Sequence, residues 1–163
     1  KAEEPAVEIV TGLDVVAFEL FEQDMVGVKG YDTAILEALR RHNVRIVSKT
    51  SNANTITHYL EASLKTVRRV ERDLERLYPS ATLNMRSLSI ASAIGRDLTG
   101  LRVLTRGLRS LDDAGIEIIA AHQTPRNVDV QFVRSREDLK PAIRALHAGL
   151  LRPQQVRTDR KAA

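Results

Sequence analysis

The residues best suited to chemistry lie together at 24–31, in the run Asp24-Met25-Val26-Gly27-Val28-Lys29-Gly30-Tyr31. Gly27 and Gly30 carry no Cβ, so the backbone there can approach a small ligand closely. A helix beginning at Tyr31 would present unpaired N–H groups and the positive end of its dipole, which suit a carboxylate. Asp24 supplies the opposite sign for an ammonium group. These are complementary halves for an α-amino acid. The polar turn Ser51-Asn52-Ala53-Asn54 is placed to close such a pocket across a subunit interface. The plainer reading stays open: the glycines make a turn and Asp24 caps a strand end.

Other constellations point less far. The chain has four histidines and no cysteine, which removes disulfides and thiolate metal sites. His42 falls in the last turn of a predicted helix, where a cation favours the dipole. His58 shares strand parity with Ile56 and Leu60 and is expected to be a neutral, hydrogen-bonded core histidine. His122 and His147 show no Glu-x-x-His or His-x-x-x-His spacing, so no metal site is expected. Neither a Gly-x-x-x-x-Gly-Lys-Ser/Thr loop nor a Gly-x-Ser-x-Gly elbow is present. Arg68, Arg69, Arg72 and Arg76 alternate with Glu71, Asp73 and Glu75, as on a solvated helix face.

The net charge of +4 is uneven, because the last residues hold Arg152, Arg157, Arg160 and Lys161 against Asp159 alone. Residues 151–163 are read as a disordered basic tail. Aromatics are 4% with no Trp, which argues against nucleic-acid binding. No apolar run approaches the ~18–20 residues of a membrane helix, and no signal peptide opens the chain. No membrane partner and a cytoplasmic location are expected. The first residue is Lys, so the natural protein is expected to extend upstream.

The elements that must position these residues come from a duplication. At a shift of 72 residues Val16 and Phe18 meet Leu88 and Ile90, and Leu36 and Leu39 meet Leu108 and Leu111. Val44, Ile46 and Val47 meet Ile116, Ile118 and Ile119; Ile56 and Leu60 meet Val128 and Phe132. Val67, Val70 and Leu74 meet Leu139, Ala142 and Leu146. This period exceeds that of solenoid repeats, so a whole domain is duplicated.

Each copy reads strand, helix, strand, strand, helix, strand. In the first, alternation predicts strands at 14–21, 44–50, 55–62 and 81–93. Helices follow at 31–41, with Ile35, Leu36 and Leu39 inward, and at 64–77, with Leu64, Val67, Val70, Leu74 and Leu77 inward. The second copy predicts strands at 88–94, 116–123 and 128–133, and helices at 102–114 and 137–150. It lacks a last strand. The spare strand at 7–13 is expected to complete its sheet and interlock the copies. The result is an α+β chain of two ferredoxin-like βαββαβ domains, 14–84 and 7–13 plus 85–150. Both helices of each are expected on one face of an antiparallel sheet whose other face is left for a partner or water.

This superfold hosts many functions, so the residues must decide. The run 24–31 resembles the ligand loop of ACT domains. Arg41-His42-Asn43-Val44 within 39–51 looks like the same region of aspartate kinases. In the second copy Ser92-Ala93-Ile94-Gly95, Asp112-Asp113-Ala114-Gly115-Ile116-Glu117-Ile118, His122-Gln123, Val128-Asp129-Val130-Gln131-Phe132 and Ala145-Leu146-His147 follow in the order of the second ACT domain of those enzymes. The run 51–60 is similar to aspartate kinases associated with ectoine synthesis.

The resemblance implies a C-terminal tandem ACT region that senses an end-product amino acid and forms a homodimer. It implies effector contacts from Asp24, Met25, Val26, Gly27, Gly30, Tyr31, Asp32, Ile46, Val47, Ser51, Asn52, Asn54 and Thr55. The parent enzyme would phosphorylate aspartate with ATP and Mg through a kinase domain upstream of Lys1. This chain alone is then expected to carry no cofactor and no kinase activity. Lysine-sensing relatives often have an acidic residue near Val47, and many relatives have Thr-Ser-Glu where this chain has Ser51-Asn52-Ala53, which moves the expectation from lysine towards threonine or a weakly regulated enzyme. Two rivals remain: a dimerisation module without an effector, and a small stand-alone enzyme using Asp24, His58 or His122.

Overall fold

The computed structural model describes residues 4–151. In chain order these form β1 (Ala6–Phe21), a 3-10 turn (Gln23–Met25), α1 (Tyr31–Arg41), β2 (Arg45–Ser51), β3 (Thr55–Glu61) and α2 (Leu64–Leu77). Then come β4 (Thr82–Arg96), α3 (Val103–Asp113), β5 (Ala120–Gln123), β6 (Asp129–Arg134), a 3-10 turn (Arg136–Asp138) and α4 (Leu139–Leu150). The strands predicted separately at 7–13 and 14–21 are one strand, as are those at 81–93 and 88–94. No Pro or turn pair interrupts either run.

The chain divides into two compact units, one of residues 13–90 and one joining residues up to 12 with those from 91 onward. In the first, the strand order is β2-β3-β1-β4; in the second, β1-β4-β6-β5. Each is the ferredoxin-like arrangement, and the N-terminal half of β1 is the last strand of the second. Two glycines record how closely that half packs. A Cβ on Gly95 would lie 2.0 Å from the carbonyl oxygen of Ala6. A Cβ on Gly12 would lie 2.7 Å from side-chain carbons of both Leu139 and Ile143.

The first unit's core holds Val16, Phe18 and Leu20 of β1, Ile35 and Leu39 of α1, and Val67, Val70 and Leu74 of α2. Its strands pair antiparallel, with Phe18 opposite His58 and Lys49 opposite His58 on the other side. The second unit's core holds Leu98, Leu111, Phe132 and Leu146. Gly107 is fitted to that core, because a Cβ there would lie 2.4 Å from the Phe132 ring.

Three expectations change. Leu36, Leu64 and Leu77 are exposed rather than inward. Leu36 stands about 100° round the helix from Ile35, and Leu64 and Leu77 are the terminal residues of α2. The strand predicted at 116–123 shrinks to Ala120–Gln123, though Ile116 is still buried. In β1, Val15, Val16, Ala17 and Phe18 are all buried, so this stretch is covered on both faces rather than one.

His58 corrects a fourth. It is fully buried, as its parity predicts, but neither ring nitrogen has a hydrogen-bond partner. Burial, and then the Lys49 charge, lower its pKa from 6.5 to about 4, against a smaller opposing pull from Asp32. The folded protein thus holds His58 neutral where the unfolded chain takes up a proton. Its stability must fall as pH drops from 6.5 towards 4 and level off below. A shift of that size corresponds to about 3 kcal/mol. His58→Leu is expected to lose less stability than the wild type between pH 7 and pH 4 in denaturant titrations. Parallel losses in both proteins would show that His58 is not the titrating group.

Candidate functional site

The loop before α1 is built by short-range bonds. Glu22, almost fully buried, accepts from the Ser80 hydroxyl at 2.6 Å and caps the 3-10 turn by accepting from the Asp24 N–H at 3.4 Å. Its own N–H donates to the Asn54 carbonyl at 3.0 Å, which ties the loop to the β2–β3 turn. Gly27 and Gly30 have φ of 78° and 108°. No atom lies within 4 Å of a Cβ built at either, so backbone conformation rather than space requires glycine. Gly30 is the N-cap of α1 and offers no side-chain acceptor. The N–H groups of the first turn are therefore without a helical partner.

Across from them, Asn52 organises the β2–β3 turn. Its Oδ1 accepts from the N–H groups of Asn54 at 3.2 Å and Thr55 at 3.0 Å. Its N–H donates to the Thr55 carbonyl at 3.0 Å. Between turn and helix start lies an open depression of about 330 Å³. Met25, Gly30, Tyr31, Asp32, Ser51 and Asn52 line it. Asp24, Val26, Gly27, Ile46, Val47, Asn54 and Thr55, expected with them, do not. Asp24 belongs to the 3-10 turn. Ile46 and Val47 fall at a break in the β2–β3 register. Asn54 and Thr55 act on the turn itself.

Val28, Lys29, Ala53 and Ile56 also line the depression, and sequence reasoning did not single them out. Three of them interleave with residues that it did, so contiguity was the available signal. Lys49 carried no such signal. It forms an ion pair with Asp32, the wall's carboxylate, across from β2 to α1. Tyr31 stacks on Tyr78 with ring centroids 4.4 Å apart. Desolvation, then the charge of Glu22 and smaller effects of Tyr78 and Asp24, raise its hydroxyl above the ordinary 10.0.

This arrangement can hold a small zwitterion through backbone N–H groups, an amide and hydroxyls. It brings together no nucleophile with a base, and among the described residues no three groups gather as for a metal ion. His42 bonds Asp73 at 2.8 Å, and that bond is the largest cause that holds Asp73 below its ordinary value. Burial lowers the pKa of His122. Among the described residues no helix is long and apolar enough to cross a membrane.

The fold defines a class: paired ferredoxin-like units of the kind that make up the ACT-type regulatory regions of aspartate kinases. The regulatory subunit of aspartate kinase from Thermus flavus has this fold, with a TM-score of 0.73 at 15% identity over 88% of this chain and 98% of that one. Aspartokinase III of E. coli, solved with lysine and aspartate, gives 0.74 at 19% identity over 93% of this chain and 35% of its own. No family model matches the sequence. In sequence the chain is 43% identical over 155 residues to aspartate kinase Ask_Ect of Stutzerimonas stutzeri (strain A1501). The match takes in 94% of this chain and 33% of that relative, so the chain spans a third of the relative's length. The chain thus matches one third of an aspartate kinase in sequence, and its fold is that of solved regulatory subunits of aspartate kinases.

The turn that faces α1 can be tested by itself. Asn52→Ala removes the acceptor of two backbone N–H groups and is expected to cost about 1 kcal/mol in denaturant unfolding. Asn52→Asp keeps an acceptor and should stay near wild type. Equal midpoints for Asn52→Ala and wild type would mean the turn holds without this side chain.

Proposed function

We propose that this chain is the allosteric region of an aspartate kinase and binds an end-product amino acid in the depression before α1. The supporting observation is the opposition of two polar surfaces across it: the unpaired N–H groups at the start of α1, and the turn held by Asn52. The first suits an α-carboxylate. Ser51 and Asn52 suit a hydroxyl-bearing side chain. Asp32 is the one carboxylate of the wall and already has Lys49 beside it, so it can meet the α-ammonium of a ligand but leaves no second carboxylate for a side-chain ammonium. This supports threonine over lysine.

The parent enzyme would transfer phosphate from ATP, with Mg, to aspartate in the cytoplasm, giving 4-phospho-L-aspartate. Its catalytic part would stand outside this chain. Two chains would dimerise through their ACT-type units, with the effector at or near the contact. An effector that binds the inhibited arrangement better shifts the enzyme by a coupling free energy of typically ~1–3 kcal/mol.

Calorimetry of the chain with threonine, lysine and methionine, beside light scattering, tests this. Saturable threonine binding to a dimer is expected, with lysine weaker. Asp32→Ala is expected to lower affinity at least tenfold. Asp24→Ala tests the loop carboxylate; a loss there with none at Asp32 would make Asp24 the ammonium partner. A dimer that takes up none of the three amino acids would leave a dimerisation module without a sensor.

A further inference from the structure

The second unit carries a different depression, also of about 330 Å³, lined by Gly100, Leu101, Arg102, Thr105, Arg106 and Arg109. Three guanidinium groups meet there with a hydroxyl, and no carboxylate lines it. None of the three arginines forms an ion pair among the described residues. We propose that this depression binds a small phosphoryl-bearing anion.

Arg106 carries the argument furthest. Its two terminal nitrogens donate to the carbonyls of Leu101 at 3.2 Å and Gly149 at 2.9 Å. Its Nε is buried with no partner. The cation is thus fixed in place by dipoles while its charge stays uncompensated, an unfavourable arrangement that a bound anion relieves. Tying the turn before α3 to the end of α4 explains the two carbonyl bonds, but not Arg102 and Arg109, which are exposed beside it.

The fold does not require this charge. At the 72-residue shift the three arginines fall on Gly30, Ala34 and Glu37 of the first unit. Arg102 even keeps a left-handed backbone, φ 53°, where the first unit has Gly30 at 108°. Guanidinium forks match phosphate oxygens two at a time, and a phosphate monoester carries close to two charges near neutral pH. A depression of this size suits a small molecule. No aromatic ring lines it, so base stacking with a nucleic-acid strand has no platform. The chain's own last residues are basic and no electrostatic match.

The test is calorimetry of the full chain in phosphate-free buffer at fixed low ionic strength, with inorganic phosphate, pyrophosphate and citrate. Saturable one-to-one binding is expected for pyrophosphate and, more weakly, for phosphate. Arg109→Glu and Arg102→Gly are each expected to lower affinity at least tenfold with no loss of thermal stability. Arg102→Gly introduces the residue that the first unit already has at this backbone conformation, so folding is kept. Absence of saturable binding, or unchanged affinity in both variants, would overturn the proposal. Tighter binding of citrate than of pyrophosphate would overturn the phosphoryl assignment. The outcome is independent of whether the first unit binds an amino acid.

Discussion

The close approach of the chain's beginning to β4 and α4 is the constraint on which the second unit depends. Ala6 passes Gly95 with no room for a Cβ, and Gly12 passes Leu139 and Ile143 in the same way. A side chain at Gly95 would push the last strand off its neighbour, whereas one at Gly12 would have to displace the tips of the Leu139 and Ile143 side chains. This closure joins residues far apart in sequence, Ala6 with Gly95 and Gly12 with Leu139 and Ile143, so much chain entropy must be lost before its contacts form. The first unit is contiguous, from 13 to 90. It has a complete core in sequence order, with β1, α1, β3 and α2 all contributing. The two copies share a pattern of elements but not a folding problem.

Within the first unit, the site depends on local bonds rather than on core packing. Glu22 joins three segments, since it bonds Ser80 beyond α2, caps the 3-10 turn and donates to Asn54. Asn52 then fixes the facing turn through its own neighbours. Lys49 closes the arrangement from β2 to α1. This pair is exposed, so it contributes little stability, at most about 1 kcal/mol. Its consequence is electrostatic, because it sets a cation beside the one carboxylate of the wall.

How far this was legible in the sequence follows from the range of each interaction. Strand and helix order follows from periodicity, which is local, and the βαββαβ pattern is visible twice at one shift. The glycine loop and the polar turn are contiguous runs, so their meeting across α1 could be anticipated once the topology was in hand. What stayed hidden is set by pairs distant in sequence or by the side chain's exact depth. The Lys49–Asp32 pair joins β2 to α1, and nothing in either segment names the other. Asp24 and Asp32 are both carboxylates near the helix start, and only the backbone path decides which one lines the depression. His58 has the parity of a core residue, but parity does not say whether a buried imidazole finds a donor or acceptor. Leu36 fails for the reverse reason: an apolar residue next to the core stripe counts as core in the sequence, while one helical step turns it to solvent.

The comparison of the two helix starts shows what the scaffold supplies and what it leaves open. Gly30 and Arg102 occupy the same place in their units with the same left-handed sense of backbone, so the loop geometry survives the change of residue. A positive φ costs an arginine more than a glycine, which makes Arg102 a poor choice on backbone grounds alone. The following turns differ in charge as well, with Glu37 in one copy and Arg109 in the other. Regulatory regions with this fold hold it at 15–19% identity, so the backbone places few demands on such exposed positions. The fold delivers a helix start, a facing turn or helix end, and a depression of similar size in each copy. The charges on a handful of side chains then decide what each depression can hold. In the first copy Lys49 offsets the one carboxylate and Lys29 adds a single positive charge beside the hydrogen-bonding turn. In the second no ion pair among the described residues offsets the three arginines, and the same scaffold becomes a concentration of positive charge.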